Sequence, residues 1–495
     1  MHSSTRFSLP GLHLTIARGL LILVLFGSLV IQPQASQAAP IGTFTVDVMT
    51  DLSGSNDAVP GDGYCMTSGG DCTLRAAIQE ANAIPGENTI IFDPGVTTVI
   101  LQSALPPLSD TTGGTKIYGG ESYVYIQGTL AGSSTNGFVL DSNYNKIQGL
   151  DIVDFGGNGI VINGDNNTIG TDGDGVGDTA EYNVIRENSQ NGIQINFGAD
   201  NNRVSGNRIG VDRSGAGKAN VMNGIQLGGN SNRIGVVGDG ISDTVEGNII
   251  SRNEQDGIDV IGSSNVIAGN TITTNTKNGI DFYGCNLNLV GTNGNGIADA
   301  AEGNLISGNL DYGIQIYLAN EITIAGNKIG TNAAGDARFA NMDGGIYIWD
   351  GYANVIGSDG AGSGAAAEGN LISGNNNHGI KLYISEGTTI AGNKIGTNLS
   401  GTAALYNGNA GIYFDRSQFN IIGTNGNGVG DTLEGNLISG NGGDGIDIVG
   451  IGSIDNVIAG NIIGLDASGL LALPNEDHGL LLGPNGDQNL VGTDG

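Results

Sequence analysis

Short runs of alternating apolar and polar residues recur along most of the chain. In residues 257–278, three such runs (IDV, VIA and TIT) are separated by turns rich in glycine and asparagine. Alternation with a period of two predicts a short β-strand in each run. Three strands and three turns within 22 residues indicate one coil of a solenoid, because a βαβ unit needs about 30 residues.

The coil repeats with a fixed spacing. The octapeptide EGNLISGN begins at Glu302, Glu368 and Glu434, a period of 66 residues. A glycine followed by an apolar residue recurs at intervals of 22 or 32–34 residues, the apolar residue being Phe138, Ile160, Ile193, Ile225, Ile258, Ile280, Ile314, Ile346, Ile380, Ile412, Ile446 and Leu480. These intervals predict an all-β parallel β-helix, with coils of about 22 residues and inserted loops of about 11.

The insertions are of two kinds and predict two stacks of loops at two corners of the coil. One kind follows the GNKIG stretches, as in residues 331–343, and the other precedes GNLISGN, as in residues 424–434. Asparagine tolerates a left-handed backbone and bonds its own main chain, and the asparagines after glycine should form a hydrogen-bonded ladder from coil to coil. The asparagines concerned are Asn207, Asn248, Asn270, Asn304, Asn327, Asn370, Asn393, Asn436 and Asn461.

The N-terminal region departs from the coil pattern. In TLRAAIQEANA, the apolar face Leu74, Ala77, Ile78 and Ala81 predicts a helix, and Thr73 is its expected N-cap. Such a helix would cover the open first coil. We therefore divide the chain into a signal segment (1–38), an N-terminal cap with the first coils (39–130) and β-helix repeats (131–495) that stop in mid-coil, as in a truncated product.

The first 38 residues have the pattern of a secretory signal peptide. They combine Arg6 and Arg18 with the apolar run 19–31 and with small residues that end near Ala38. Thirteen apolar residues are too few to span a bilayer, so the mature chain is expected to be secreted or at the cell surface, without a membrane span, and monomeric. Export favours a disulfide between Cys65 and Cys72 and leaves Cys285 as a structural thiol.

Acidic residues dominate the charge. The chain has 49 Asp and Glu against 18 Lys and Arg, a net charge of −31 at pH 7, which argues against a nucleic-acid partner. The loop TDGDGVGDTAE offers oxygen ligands of the kind that Ca²⁺ prefers, at Asp172, Asp174, Asp178 and Glu181. Asp and Gly also form ordinary turns, so calcium binding and a purely structural loop both stay open.

Residues 60–83, PGDGYCMTSGGDCTLRAAIQEANA, resemble the N-terminal CSLREA domain of exported bacterial β-helix proteins. The match extends over residues 44–88, and Ala76 stands where the motif is acidic. The remaining coils resemble the pectate-lyase-like superfamily, which includes polysaccharide lyases, hydrolases, epimerases and adhesive surface proteins. This resemblance implies a right-handed parallel β-helix solenoid with an N-terminal helical cap, and it implies the fold more strongly than the activity. No catalytic motif of an enzyme subfamily is found.

Two outward columns follow from the strand after each glycine anchor, because alternate residues point away from the core. The first column is Val161, Gln194, Gln226, Asp259, Asp281, Gln315, Tyr347, Lys381, Tyr413, Asp447 and Leu481. The second is Asn163, Asn196, Gly228, Ile261, Tyr283, Tyr317, Trp349, Tyr383, Asp415, Val449 and Gly483.

The aromatic residues of these columns are candidates for glycan binding. Four of them fall in consecutive coils of a chain that is only 5% aromatic. Rings beside polar groups suit a sugar, but cross-strand contacts that stabilise the sheet are an equal alternative. The proposed binding set is Tyr283, Gln315, Tyr317, Tyr347, Trp349, Tyr383 and Tyr413.

Two groups are candidates for catalysis. Asp259 and Asp281 lie in adjacent coils, about 5 Å apart, so they would share a site and split their pKa values. The cluster His378, Lys381, Tyr383, Tyr413 and Asp415 spans two coils and offers an acid and a base. Lys381 lies three coils from Asp281, so one shared centre is excluded.

The leading interpretation is a secreted or cell-surface β-helix protein that binds an extended polysaccharide or a cell-surface glycan, or that serves as a surface interaction rod. A carbohydrate-active enzyme (lyase, hydrolase or epimerase) and a structural spacer are the alternatives.

Overall fold

Three parallel sheets run side by side along the chain, and from Phe138 onward each coil contributes one strand to each sheet. The computed structural model describes residues 42–52, 54–120, 123–484 and 488–492. All of them lie in one of the two units into which the chain divides, residues 39–495. The predicted signal segment, residues 1–38, lies outside the described residues.

Among the described residues, the sheets have 15, 14 and 12 strands and are named sheets 1, 2 and 3 in that order. The strands of sheet 1 are Gly42–Val46, Asn88–Phe92, Thr115–Tyr118, Lys146–Gln148, Thr168–Gly170, Arg203–Ser205, Arg233–Gly235, Val266–Ala268, Leu289–Gly291, Thr323–Ala325, Val355–Gly357, Thr389–Ala391, Ile421–Gly423, Val457–Ala459 and Leu490–Val491. The strands of sheet 2 are Thr50–Asp51, Thr98–Leu101, Val124–Gln127, Leu150–Val153, Val184–Arg186, Arg208–Ile209, Ile249–Ser251, Thr271–Thr273, Leu305–Ser307, Lys328–Ile329, Leu371–Ile372, Lys394–Ile395, Leu437–Ile438 and Ile462–Ile463. The strands of sheet 3 are Phe138–Leu140, Ile160–Ile162, Ile193–Ile195, Ile225–Leu227, Ile258–Val260, Ile280–Tyr283, Tyr312–Tyr317, Gly344–Trp349, His378–Tyr383, Ile412–Asp415, Ile446–Val449 and Leu480–Leu482.

This architecture is the predicted parallel β-helix. The runs IDV, VIA and TIT are the strands Ile258–Val260, Val266–Ala268 and Thr271–Thr273, one in each sheet. Their central or leading isoleucines are fully buried, and each strand pairs in parallel with the equivalent strand of the next coil. The core is therefore a set of stacked aliphatic columns, each side chain contributing about 1.5–3 kcal/mol by burial.

The N-terminal helix is confirmed as Leu74–Ala83. Thr73 accepts a hydrogen bond from the Ala76 N–H at 3.1 Å, and the predicted apolar face is buried in the core at the open end of the first coil. Cys65 and Cys72 form the predicted disulfide, with a Cα–Cα distance of 5.2 Å. Cys285 is a buried free thiol, and burial raises its pKa to about 12. No helix in the described part of the chain has the length and apolarity to cross a membrane.

The inserted loops occupy two corners, as predicted. Between sheets 1 and 2 they carry single helical turns, at Asp178–Glu181, Asp243–Glu246, Asp299–Glu302 and Asp431–Glu434, and a 3₁₀ turn at Ala365–Ala367. Between sheets 2 and 3 they form small hairpins, closed by the bridges Val211↔Gly217, Thr331↔Arg338, Thr397↔Ala404 and Leu465↔Ala472. Both kinds stack on the equivalent loops two coils away.

The predicted asparagine ladder is present at the corner between sheets 1 and 2. All nine predicted asparagines take part: the backbone N–H of each donates to Oδ1 of the next over 2.8–3.1 Å. None of these asparagines has a left-handed backbone. The left-handed residue in alternate coils is the preceding glycine, as at Gly269 and Gly326.

Two further buried ladders, which the sequence reading missed, line the other corners. Between sheets 2 and 3, successive Nδ2–H groups donate to Oδ1 over 2.9–3.1 Å along Asn188, Asn220, Asn253, Asn275, Asn309, Asn341, Asn375, Asn407, Asn441 and Asn475. Between sheets 3 and 1, the first ladder members are Asn145, Asn167, Asn202, Asn232, Asn265 and Asn288. The second asparagine of each GNLISGN repeat is the signal that points to the first of these.

We predict that Asn304→Ala destabilises the protein by about 2–4 kcal/mol, because it leaves buried polar groups without hydrogen-bond partners. Asn304 accepts from the N–H and Nδ2 of Asn270 and donates to the Ile267 carbonyl. Asn286→Ala, which removes an exposed amide, is the matched control. Thermal unfolding of both variants measures the difference, and an equal loss in the two would contradict the role of the buried ladder.

Candidate functional site

The outward columns predicted on sheet 3 are confirmed in register. The first column pairs residue by residue from Val161 to Leu481. The aromatic part of the second column pairs from Tyr283 to Tyr383, followed by Asp415. The three longest strands of sheet 3, six residues each, lie in the middle of this region, so the outward face is widest where the aromatic residues are.

The four aromatic rings of the second column touch in sequence. Tyr283 stacks on Tyr317 with centroids 5.5 Å apart. Trp349 meets Tyr317 and Tyr383 edge to face at 5.0 and 5.6 Å. Tyr283 and Trp349 nevertheless remain 54% and 39% exposed. The rings thus make the cross-strand contacts expected of a structural role and still offer a continuous surface to solvent.

A third column of paired residues lies three positions before the first column and was missed. It pairs Tyr312 with Gly344 and then with His378. Tyr312 stacks on Tyr347 at 4.9 Å, and burial, followed by the charge of Asp343, raises its pKa to about 12. Tyr312, Gly344 and His378 stand three residues before Gln315, Tyr347 and Lys381, so alternation with a period of two does not reach this column.

The cluster His378, Lys381, Tyr383, Tyr413 and Asp415 lines a single cleft of about 450 Å³, together with Tyr347, Trp349, Asn409 and Asp447. The His378 ring lies 4.6 Å from the Tyr413 ring, and the Lys381 ammonium lies 5.0 Å from the Tyr347 centroid. Burial and the charge of Lys381 lower the pKa of His378 to about 4. The imidazole is therefore neutral at physiological pH, and its Nδ1 has no hydrogen-bond partner.

Asp259 and Asp281 pair in adjacent coils, as predicted, but they lie outside the residues that line the cleft. Gln315 donates to Asp281 at 3.1 Å. Burial, and then the charges of Asp256 and Asp259, raise the pKa of Asp281 to about 7. Burial also raises the pKa of Asp259. Lys381 is three coils away along the same column, so the two charged groups act at separate places.

Asp256 is a member of this acidic group that the sequence reading missed. It occupies a ladder position at the start of the sheet 3 strands, where Asn223 Oδ1 accepts from its N–H and its Oδ1 accepts from the Asn278 N–H. One coil earlier, the amide of Asn223 donates to Asp259. At Asp256 that amide donor is replaced by a carboxylate, so Asp281 faces a like charge instead of a donor.

The predicted calcium ligands have other partners. One ligand atom from each of Asp172, Asp174 and Asp178 lies within 4.8 Å of the others. However, the Lys146 ammonium lies 2.7 Å from Asp172, Asp178 accepts from the Gly175 N–H and Glu181 accepts from the Asp172 N–H. Equivalent residues make the same backbone contacts in three of the four other loops. Calcium binding stays a prediction, beside a role in shaping the loop.

Comparison with known proteins agrees with the fold. The family model described as right handed beta helix region matches residues 234–419. No curated protein sequence matches the chain. Together with the three parallel sheets, the family match identifies a right-handed parallel β-helix.

Several solved structures are similar at low identity. The Dettilon tailspike protein is 14% identical with a TM-score of 0.41, over 87% of this chain and 68% of its own. The periplasmic alginate epimerase AlgG is 12% identical with a TM-score of 0.38, over 82% and 76%. Pectate lyase Pel9A is 13% identical with a TM-score of 0.28, over 88% and 82%. None of these similarities bears on what this chain binds.

We predict that stability falls as pH rises from about 4 to about 7, because Asp281 ionises at a higher pH in the folded chain than in the unfolded one. Asp256→Asn removes a like charge and restores the ladder donor. It should raise the free energy of unfolding at pH 8 by on the order of 1 kcal/mol and leave it nearly unchanged at pH 4. Thermal unfolding at both pH values tests this, with the exposed Asp239→Asn as control. A gain of the same size at pH 4 would contradict the electrostatic explanation.

Proposed function

We propose that the outward face of sheet 3 binds an extended polysaccharide, and that the chain is a secreted or cell-surface β-helix protein. The observation that carries this proposal is the row of four touching, partly exposed aromatic rings in successive coils. Coils stack at about 4.8 Å, so the row is on the order of 15 Å long, enough for a few sugars. The Cys65–Cys72 disulfide supports export.

The chemistry of the face suits sugar rings. Aromatic faces take the C–H face of a pyranose, and the neighbouring column supplies hydrogen-bonding groups for hydroxyls. The cleft at the far end of the row contains Lys381, Asp415 and the unpartnered Nδ1 of His378. A sugar that stacks on Trp349 lies beside these groups, since Trp349 lines the same cleft.

The charge of the face favours an uncharged glycan. Asp259, Asp281, Asp415 and Asp447 stand in the two columns around one cation, Lys381. The chain as a whole carries a net charge of −31, which repels polyanions at low ionic strength. Polyuronates are therefore disfavoured as ligands.

A carbohydrate-active enzyme is the second candidate. The observation that favours it is the pKa of Asp281, raised to about 7 beside two further carboxyl groups, because a carboxyl group that is protonated near neutral pH can act as a general acid. Its neighbour Asp259 would be the second carboxyl group that glycan hydrolysis requires.

We predict that the protein is retarded in affinity gels that contain a neutral galactomannan or xyloglucan, and less so with polygalacturonate. Trp349→Ala should weaken the retarding affinity at least about tenfold, the effect of losing one stacked ring. Tyr64→Ala removes an exposed ring in the N-terminal cap, away from sheet 3 (72% exposed), and should leave retardation unchanged. Equal retardation of wild type and Trp349→Ala would eliminate the aromatic row as the binding surface. Retardation in none of the gels would favour an interaction rod or a spacer.

For the enzyme, we expect new reducing or unsaturated ends when neutral and acidic polysaccharides are incubated with the protein, with and without calcium. Asp281→Asn should abolish this product and leave retardation in the gels intact. The Asp281 carboxyl group would act on the glycosidic bond, whereas the aromatic rings would bind the glycan. Absence of product from every substrate would remove the catalytic candidate without affecting binding.

A further inference from the structure

A row of residues with left-handed backbone borders the aromatic column. The residue after each member of the second column has a positive φ in six successive coils: Gly284, Leu318, Asp350, Ile384, Arg416 and Gly450. The row continues the sheet register, because the N–H of each residue from Gly284 to Ile384 donates to the carbonyl of the column residue one coil on, over 3.0–3.1 Å. We call it the left-handed row.

Leu318 and Ile384 are costly residues for this position. Bulky side chains disfavour a positive φ, and β-branched ones most of all. Glycine serves at both ends of the same row, at Gly284 and Gly450. Both aliphatic side chains are moreover 41% exposed. Neither backbone geometry nor burial explains why leucine and isoleucine stand here, and strained residues of this kind cluster at ligand-binding surfaces.

Side chains of this row lie against the aromatic column of the preceding coil. The Arg416 guanidinium is 5.1 Å from the centroid of Tyr383, one coil back. A Cβ placed on Gly450 would come 2.3 Å from Oδ1 of Asp415, again one coil back. By the same register, Leu318 stands one coil on from Tyr283, directly after its partner Tyr317, and Ile384 stands one coil on from Trp349, directly after its partner Tyr383.

The row alternates with a period of two coils. Tyr283 and Trp349 have aliphatic neighbours, whereas Tyr317 and Tyr383 have Asp350 and Arg416. The same two-coil period appears as the 66-residue repeat of the sequence, and two coils advance by about 9.6 Å. An extended β-1,4-linked glycan has the matching property, since it presents the same ring face on every second sugar.

We propose that Leu318 and Ile384 contact the sugars that stack on Tyr283 and Trp349, and that the face selects an extended glycan whose ring faces alternate. This inference rests on the proposed glycan-binding function. Leu318 and Ile384 contact the edges of alternate sugars, and Asp350 and Arg416 contact the hydroxyl groups of the sugars between them.

The test compares affinity gels that contain a β-1,4-glucan, a β-1,4-mannan, a β-1,3-glucan and an α-1,4-glucan. The β-1,3-glucan and the α-1,4-glucan form coiled chains instead of extended ones. At least one β-1,4-linked polymer should bind wild type with about tenfold higher affinity than these two coiled polymers do. The double variant Leu318→Gly, Ile384→Gly should lose about tenfold in affinity for that polymer, roughly one aliphatic contact. Its melting temperature should equal or exceed that of wild type, because glycine accepts the left-handed backbone.

Each of the other outcomes contradicts one part of the proposal. The role of the left-handed row is overturned if the double variant keeps its affinity, or if extended and coiled polymers retard wild type equally. Trp349→Ala still tests the aromatic row in that case. A lower melting temperature with unchanged affinity assigns Leu318 and Ile384 to packing alone. If the glycine variant does not fold, Leu318→Asp, which copies Asp350 of the same row, replaces it. Retardation of wild type by none of the polymers overturns the glycan-binding proposal itself.

Discussion

Stacking of each coil on the next in a single register is the constraint on which this structure depends, and buried side-chain amides enforce it. An asparagine at each of the three corners receives a hydrogen bond from the coil before and makes one to the coil after. A coil that slipped by one residue would leave these amides and the corner backbone without partners, at about 1–3 kcal/mol for each group. The aliphatic core resists slippage as well, but it does not discriminate between one isoleucine and another.

The fixed register turns sequence columns into surfaces. Because Tyr283, Tyr317, Trp349 and Tyr383 occupy equivalent positions, their rings meet at 5.0–5.6 Å without further adjustment. The same geometry collects His378, Lys381 and Asp415, which lie up to 37 positions apart in the chain, in one cleft. Stability and function therefore share one scaffold: the interior of each turn maintains the register, and the outward residues of sheet 3 are free to vary.

Three departures from the repeat lie on the outward face of sheet 3, where we propose that the glycan binds. Asp256 interrupts an asparagine ladder and leaves Asp281 facing a like charge. Leu318 and Ile384 hold a backbone conformation that glycine adopts elsewhere in their row. The strands of sheet 3 lengthen to six residues beside the aromatic rings. All three features lie on the same face, within the same few coils, and the first two cost stability that the regular repeat would have kept.

Periodicity alone determined the coil, its three strands, the corners that carry loops and the two outward columns, because a period-two pattern repeated in register leaves one way to bury the apolar residues. The capping helix followed in the same way from the spacing of its apolar face. Periodicity also led to most of the cluster around His378, because Lys381 and Tyr413 share the first column, and Tyr383 and Asp415 the second, in adjacent coils. Only the tertiary structure decided what depends on side-chain direction and on contacts between coils: the two further asparagine ladders, the third column with Tyr312, the like-charge contact of Asp256 with Asp281, and the engagement of Asp172 by Lys146. A spacing rule places residues in the same column, but which atoms face each other, and which backbone angles are left-handed, are settled by packing across the stack.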